Sequence, residues 1–261
     1  MSTNNIHDAL EVLEADYDIE IIAARNRGSK PRNLASSSSD TDLSVVFRQS
    51  PEAYYRVNSE RETIDRSFDN IDILGWNIKR FGELLAKSHH SAFEFLQTPT
   101  PYRHREPFAA EFDQLRDALK MTFNPVALMG HYHESARSKY ERAVRDEPEI
   151  NVKPALHVYR ALLYRQFVHE THEWPPVNFF AFVKTAASSL DVPDKVVADT
   201  QELVEQKRAD ETIAINLESL NWIANALESM PTAGNDRSGK RDDHLTTINT
   251  TLTAIIGGTK L

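Results

Sequence analysis

Cysteine is missing from all 261 residues. Its absence excludes disulfides and thiolate zinc sites, and is what a cytoplasmic protein is expected to show. No apolar run approaches the roughly twenty residues of a membrane helix, and the first residues hold no signal-peptide core, so neither a membrane partner nor export is expected. A surplus of positive charge is missing too. With 30 Lys and Arg against 39 Asp and Glu, the net charge is −9. The surface as a whole therefore does not attract nucleic acid, and any such contact has to use a local basic groove. There is no internal repeat. The length suits one large domain or two modest ones, and leaves the oligomeric state open.

What is present centres on one stretch, Arg27-Gly28-Ser29-Lys30 followed by Ser39-Asp40-Thr41-Asp42-Leu43-Ser44-Val45-Val46. A Gly-Ser turn offers backbone N–H groups and a hydroxyl to an anion such as phosphate. In a strand, residues two apart share a face. Asp40 and Asp42 are then expected side by side, with Leu43, Val45 and Phe47 on the opposite face. Paired carboxylates resist joint ionisation unless a cation meets them, and hard oxygen ligands suit Mg²⁺. A phosphate cradle beside metal-binding carboxylates suits nucleotide chemistry. The plainer reading is a common turn followed by solvated surface acids.

Taken in order, Ile6, Leu10 and Leu13 mark a short amphipathic helix, and residues 18 to 24 a strand running into the Gly-Ser turn. Residues 49 to 68 read as an exposed connection. The segment Ile71-Asp72-Ile73-Leu74-Gly75-Trp76 is a strand with an acid among apolar neighbours. Such an acid needs a charged partner or a place at a sheet edge facing water. Asp72 is therefore either a third metal ligand or an edge acid.

Helical patterns follow over 77–86 and 91–96, then as a run of amphipathic helices through Phe112, Leu128, Leu156 and residues 177–187. A later helix is marked by Ile213, Leu217, Leu220, Ala224 and Leu227. Strands in one block and helices in another predict an α+β protein: a small mixed-sheet domain over 1–102, a helical bundle over 103–230, and a polar linker with a weakly specified tail over 231–261.

Ordered this way, the motifs resemble the polymerase-beta-like nucleotidyltransferase superfamily, and most closely its RNA-ligase-associated nucleotidyltransferase family. The family pattern G-S-R-A-x-G … S-D-x-D is met by Gly28-Ser29-Lys30 and Ser39-Asp40-Thr41-Asp42. Its D-x-x-G-W-D-x-[RK]-K is met by Asp72-Ile73-Leu74-Gly75-Trp76-Asn77-Ile78-Lys79-Arg80, and its S/T-P-x-Y by Thr100-Pro101-Tyr102. Lys30 stands for the usual Arg, Asn33 for a Gly, Asn77 for an Asp, and His89-His90 for Asn-Pro. The resemblance implies transfer of an NMP from an NTP to an acceptor hydroxyl with two Mg²⁺ ions held by Asp40, Asp42 and Asp72. It implies an RNA end as acceptor, with a protein hydroxyl or a non-catalytic nucleotide- or RNA-binding role as alternatives. Gly28, Ser29 and Lys30 would hold the β- and γ-phosphates.

Lys153, His157 and Arg160 share one helix face by spacing. They read either as contacts to the triphosphate or base across the cleft between the domains, or as a solvated face. Lys79 and Arg80, with Lys87, Arg103 and Arg105, are candidates for a basic track that contacts the acceptor. His131, His133, His169 and His172 lack further ligands at a metal-binding spacing, and Trp76 and Trp174 read as core.

Overall fold

The computed structural model describes residues 3–57, 61–99, 101–105, 108–145, 150–210, 219–229 and 238–257. The protein is α+β, with a five-stranded mixed sheet near its N-terminus. The chain divides into two compact units, one made of Met1–Pro31, Asp40–Phe123 and Arg237–Leu261, the other of Arg32–Ser39 and Asn124–Asp236.

In the first unit, helix α1 (Thr3–Tyr17) leads into β1 (Glu20–Asn26), and β2 (Thr41–Arg48) returns antiparallel to it. Then β3 (Thr63–Phe68) and β4 (Ile71–Asn77) form a hairpin. β4 lies parallel to β2, and the sheet order is β3-β4-β2-β1-β5, with β5 the two-residue Arg103–His104. Alternation sorts the side chains. Leu43, Val45 and Phe47 of β2 and Ile71 and Ile73 of β4 bury against Ile6, Leu10 and Leu13 of α1. This is the apolar face expected from sequence. Residues 49–68, read as a connection, contain β3; its alternation of Ile64 among polar residues is that of an edge strand buried on one face only.

The other face is covered by α2 (Ile78–Ala86), α3 (His90–Gln97) and α4 (Ala109–Thr122). Asn77 caps α2, its Oδ1 accepting the Lys79 backbone N–H at 2.9 Å. Trp76, Phe81, Phe95 and Phe112 pack there, with the Trp76 and Phe81 rings 6.1 Å apart and Phe81 and Phe95 5.3 Å. Arg25, buried on this side, donates to the carbonyls of Phe95, Leu96 and Thr98 at the end of α3.

Glu14 ties α1 to the sheet. Its carboxylate accepts the Ile21 N–H at 2.7 Å, Arg105 Nη2 at 2.7 Å and Arg103 Nη1. Burial works to raise its pKa, but those donors outweigh it and hold the group below its ordinary value. A depressed carboxylate contributes stability that is full above the unfolded pKa and is lost as pH falls through the folded one. Glu14→Gln is therefore expected to cost about 2 kcal/mol at neutral pH, since two guanidinium groups lose their counter-charge. Thermal melts of variant and wild type across pH should show a gap that closes in acid, below the ordinary carboxylate range.

In the second unit, α5 (Pro125–Ala143) and α6 (Val152–Thr171) form the main helix pair. Tyr164 of α6 sits 5.6 Å from Tyr132, and 5.4 and 5.2 Å from Phe179 and Phe182 of α7 (Phe179–Thr185). Next come α8 (Asp194–Ala209) and α9 (Leu220–Glu228). Arg165 donates to His133 Nδ1 at 2.8 Å and to the carbonyl of Ala226 at 2.7 Å, and so holds the end of α9. Burial first, then that neighbouring guanidinium, pushes the His133 pKa down. Ile213 and Leu217 of the helix expected there lie outside the described residues, as do Thr100 and positions 231–237 of the expected linker.

The rest of the tail departs from expectation. Residues 238–257 form α10 (Ser238–Gly257), which packs on α2 and α4 of the first unit. Gly82 permits this approach, because a Cβ there would meet both Leu252 methyl carbons at 2.7 Å. His244 donates Nε2–H to the Leu85 carbonyl at 2.9 Å, and burial lowers its pKa against that bond. The first unit accordingly runs to Phe123 and takes the C-terminal helix back, where the sequence reading ended it at 102.

Candidate active site

The parallel register of β2 and β4 pairs Asp42 with Asp72. Neighbouring strands lie about 4.8 Å apart, and residues in register point to one face. Two carboxylates from segments thirty positions apart thus stand side by side at the N-terminal ends of two inner strands. Both are half-buried. β4 lies between β3 and β2, which removes the edge-strand reading of Asp72. Ser67 of β3 donates its hydroxyl to Asp72 Oδ1 at 2.6 Å and leaves the second oxygen to other partners.

The Gly-Ser turn closes over the Asp42 carboxylate. Gly28 has φ +71°, and a Cβ built on it would lie 2.2 Å from Asp42 Oδ2 and 3.0 Å from its Cγ. The backbone of the turn is therefore in contact with the carboxylate, at a distance that only glycine permits. Ser29 follows at the half-buried turn. Lys30 Nζ reaches Thr41 Oγ1 at 2.7 Å, which puts an ammonium next to the residue between the two aspartates. Asp40 immediately precedes β2 and is exposed. The two aspartates expected on one strand face are thus divided between the ladder and the loop before it. On the same sheet face the structure adds Arg27, whose Nη2 lies 3.5 Å from Asp42 Oδ1 and whose Nε donates to the Leu43 carbonyl at 3.1 Å. The only sequence signal for Arg27 was its place directly before Gly28.

Hard oxygen donors and a cradle with no space for a side chain fit a divalent cation held by Asp42 and Asp72. Among the described residues no group of three or more His, Asp or Glu side chains converges as a ready metal site. Asp40, Asp42 and Asp72, expected from sequence to share the metal, are therefore not gathered as one cluster.

The other expected residues lie on other elements. Lys79 and Arg80 begin α2, beyond the far end of β4, about 17 Å of strand from Asp72 by strand rise. Arg80 pairs with Glu83 at 2.8 Å. Arg103 and Arg105 are bound by Glu14, so neither is a free surface cation. Lys153, His157 and Arg160 lie on α6 of the second unit. Lys153 is exposed, His157 Nε2 is 2.9 Å from Ser135 Oγ, and Arg160 is 7% exposed with its guanidinium 5.9 Å from the Tyr164 ring. The three do not form one solvated face. No described helix is long and apolar enough to cross a membrane.

A family model described as the RNA repair pathway DNA polymerase beta family matches residues 2–254. The chain is 25% identical over 248 residues to the Bacillus subtilis (strain 168) protein YcgL, described as uncharacterized, across 94% of this chain and 92% of that one. Among solved structures, a nucleotidyltransferase-like protein from Exiguobacterium sibiricum 255-15 aligns over 98% of this chain and 81% of that chain, at 16% identity and a TM-score of 0.31.

Proposed function

The chain belongs to the RNA repair pathway DNA polymerase beta family, and from that premise we propose that it transfers an NMP from an NTP to an acceptor hydroxyl, with an RNA end as acceptor. The observation that carries this reading is the in-register Asp42–Asp72 pair with Gly28 packed on the Asp42 carboxylate. In the transfer, the acceptor oxygen bonds to the α-phosphorus, the bond from that phosphorus to the β-phosphate bridge breaks, pyrophosphate leaves, and the hydroxyl proton passes to solvent. Asp42 and Asp72 would hold Mg²⁺, with Asp40 joining from the preceding loop for a second ion. Bound Mg²⁺ supplies charge neutralisation at the attacking and leaving oxygens.

The remaining tasks belong to the chain itself. The Gly28 and Ser29 turn offers N–H and hydroxyl donors to the β- and γ-phosphates, and Lys30 adds a positive charge without arginine's two-pronged geometry. Ser67 fixes one oxygen of Asp72, so that the other keeps a single orientation. His157 and Arg160 each have a partner within the second unit, Ser135 Oγ and the Tyr164 ring.

For the acceptor, the basic track considered is Lys79, Arg80 and Lys87, of which Arg80 is paired with Glu83, with Arg103 and Arg105 both paired with Glu14. Phosphate contacts dominate RNA affinity and weaken as salt rises. Incubation of the protein with each α-labelled NTP, RNA and cell protein is expected to label RNA, in a salt-sensitive way. Lys79→Glu with Arg80→Glu should lower RNA labelling several-fold and leave NTP binding intact. Label found only on protein, and unchanged by the charge reversal, would replace RNA by a protein hydroxyl as acceptor.

A further inference from the structure

Arg27 forms an ion pair with Asp42, one member of the candidate carboxylate pair. Its backbone N–H donates to the Asp42 carbonyl at 2.9 Å, its Nε to the Leu43 carbonyl at 3.1 Å, and its Nη2 lies 3.5 Å from Asp42 Oδ1. The Arg27 backbone is thus tied to Asp42 and its guanidinium to the next residue of β2, beside the Asp42 carboxylate. Gly28 bounds the other carboxylate oxygen, Oδ2. Asp42 is held between a fixed positive charge and a backbone wall.

We propose that Arg27 is a positioning residue that occupies the electrostatic place of the divalent cation until nucleotide arrives, and so makes cation binding depend on the triphosphate. This rests on the reading of Asp42 and Asp72 as the metal-holding pair. A unit positive charge a few ångströms from a carboxylate opposes a doubly charged ion that uses the same oxygens. At a site where Arg27 and Asp42 side chains are 36% and 30% exposed, solvent and salt reduce that opposition to a modest factor. A triphosphate reverses the balance. It brings several negative charges, gives the guanidinium a phosphate partner, and leaves the carboxylate to the cation. Ordered loading follows, with the cation entering together with nucleotide and binding poorly alone.

The test is a calorimetric titration of the nucleotide-free full chain with Mn²⁺ as probe, for wild type, Arg27→Gln, Arg27→Met and Arg27→Lys. Thermal melts check that each variant is folded, and the methionine variant serves if the glutamine one is not. Arg27→Gln and Arg27→Met are expected to bind Mn²⁺ roughly three- to ten-fold more tightly than wild type, and Arg27→Lys to match it. With a non-hydrolysable triphosphate analogue present, the order should invert, the neutral variants binding the analogue more weakly. If Arg27 serves only to orient Asp42, both neutral variants will bind Mn²⁺ more weakly than wild type, and the proposal is overturned. If the Mn²⁺ bound by Arg27→Gln and Arg27→Met, or by wild type with the analogue present, is not abolished by adding Asp42→Asn, the metal-site reading itself is overturned, and the dependence on Arg27 falls with it.

Discussion

Asp42→Asn is expected to reduce NMP transfer by about a thousand-fold or more while the protein stays folded. The side chain keeps its shape, so the β2–β4 register and the Leu43, Val45 and Phe47 core are undisturbed. What disappears is one full negative charge from the pair proposed to hold a cation against developing phosphate charge. Groups that act only in the transition state show losses of this order when removed. Two stability effects oppose each other. The Arg27 pair is lost, which at its exposure is worth at most about 1 kcal/mol, and repulsion from Asp72 is relieved. A melting temperature within a few degrees of wild type should therefore accompany the loss of labelled product. Transfer within ten-fold of wild type in a folded Asp42→Asn protein would remove Asp42 from the chemistry.

Gly28→Ala should give the second-largest effect, by a different route. At φ +71° an alanine backbone costs on the order of 1 kcal/mol before any contact is counted. The added methyl would then lie 2.2 Å from Asp42 Oδ2, a separation that forces the carboxylate or the turn to move. Displacement of a reacting or metal-holding group by about 1 Å typically costs a hundred-fold in rate. The expected result is a loss of stability of roughly 1–3 kcal/mol together with a fall in transfer of about a hundred-fold or more. Steady-state transfer assays and thermal melts on one preparation separate the two parts. Wild-type transfer by Gly28→Ala would show that the turn does not position Asp42.

Spacing alone supports the Asp42 prediction, through the Asp-x-Asp motif, and says nothing of the contact behind the Gly28 one. The Asp-x-Asp motif suggested that Asp40 and Asp42 act as a strand-face pair. In the fold the close partner of Asp42 is Asp72, brought there by the parallel ladder, while Asp40 stands before the strand. Sequence did single out Asp72, because an acid among Ile71, Ile73 and Trp76 is costly without a partner. The Gly-Ser stretch was legible as a turn. Its contact with Asp42 Oδ2 was not, since it depends on where the turn falls against β2.

The sequence by itself determined the α+β class, the helix and strand periodicities, the apolar face of β2 and the identity of the acidic and glycine residues that make the candidate site. These are local properties: the period of apolar residues, the turn chemistry of Gly-Ser, and the cost of a lone acid in a strand. Tertiary structure alone decided which distant charges pair and which segments belong together. Arg103 and Arg105 read as surface cations until β5 placed them on Glu14, eighty-nine and ninety-one positions away. The tail looked weakly specified until α10 found the groove at Gly82. Edge strand β3 carried too few apolar residues to declare itself, and Arg27 carried no pattern at all. The reason is common to all four. Ion pairs, strand registers and helix docking join residues far apart in the chain, and their energy depends on desolvation and geometry that no local pattern encodes.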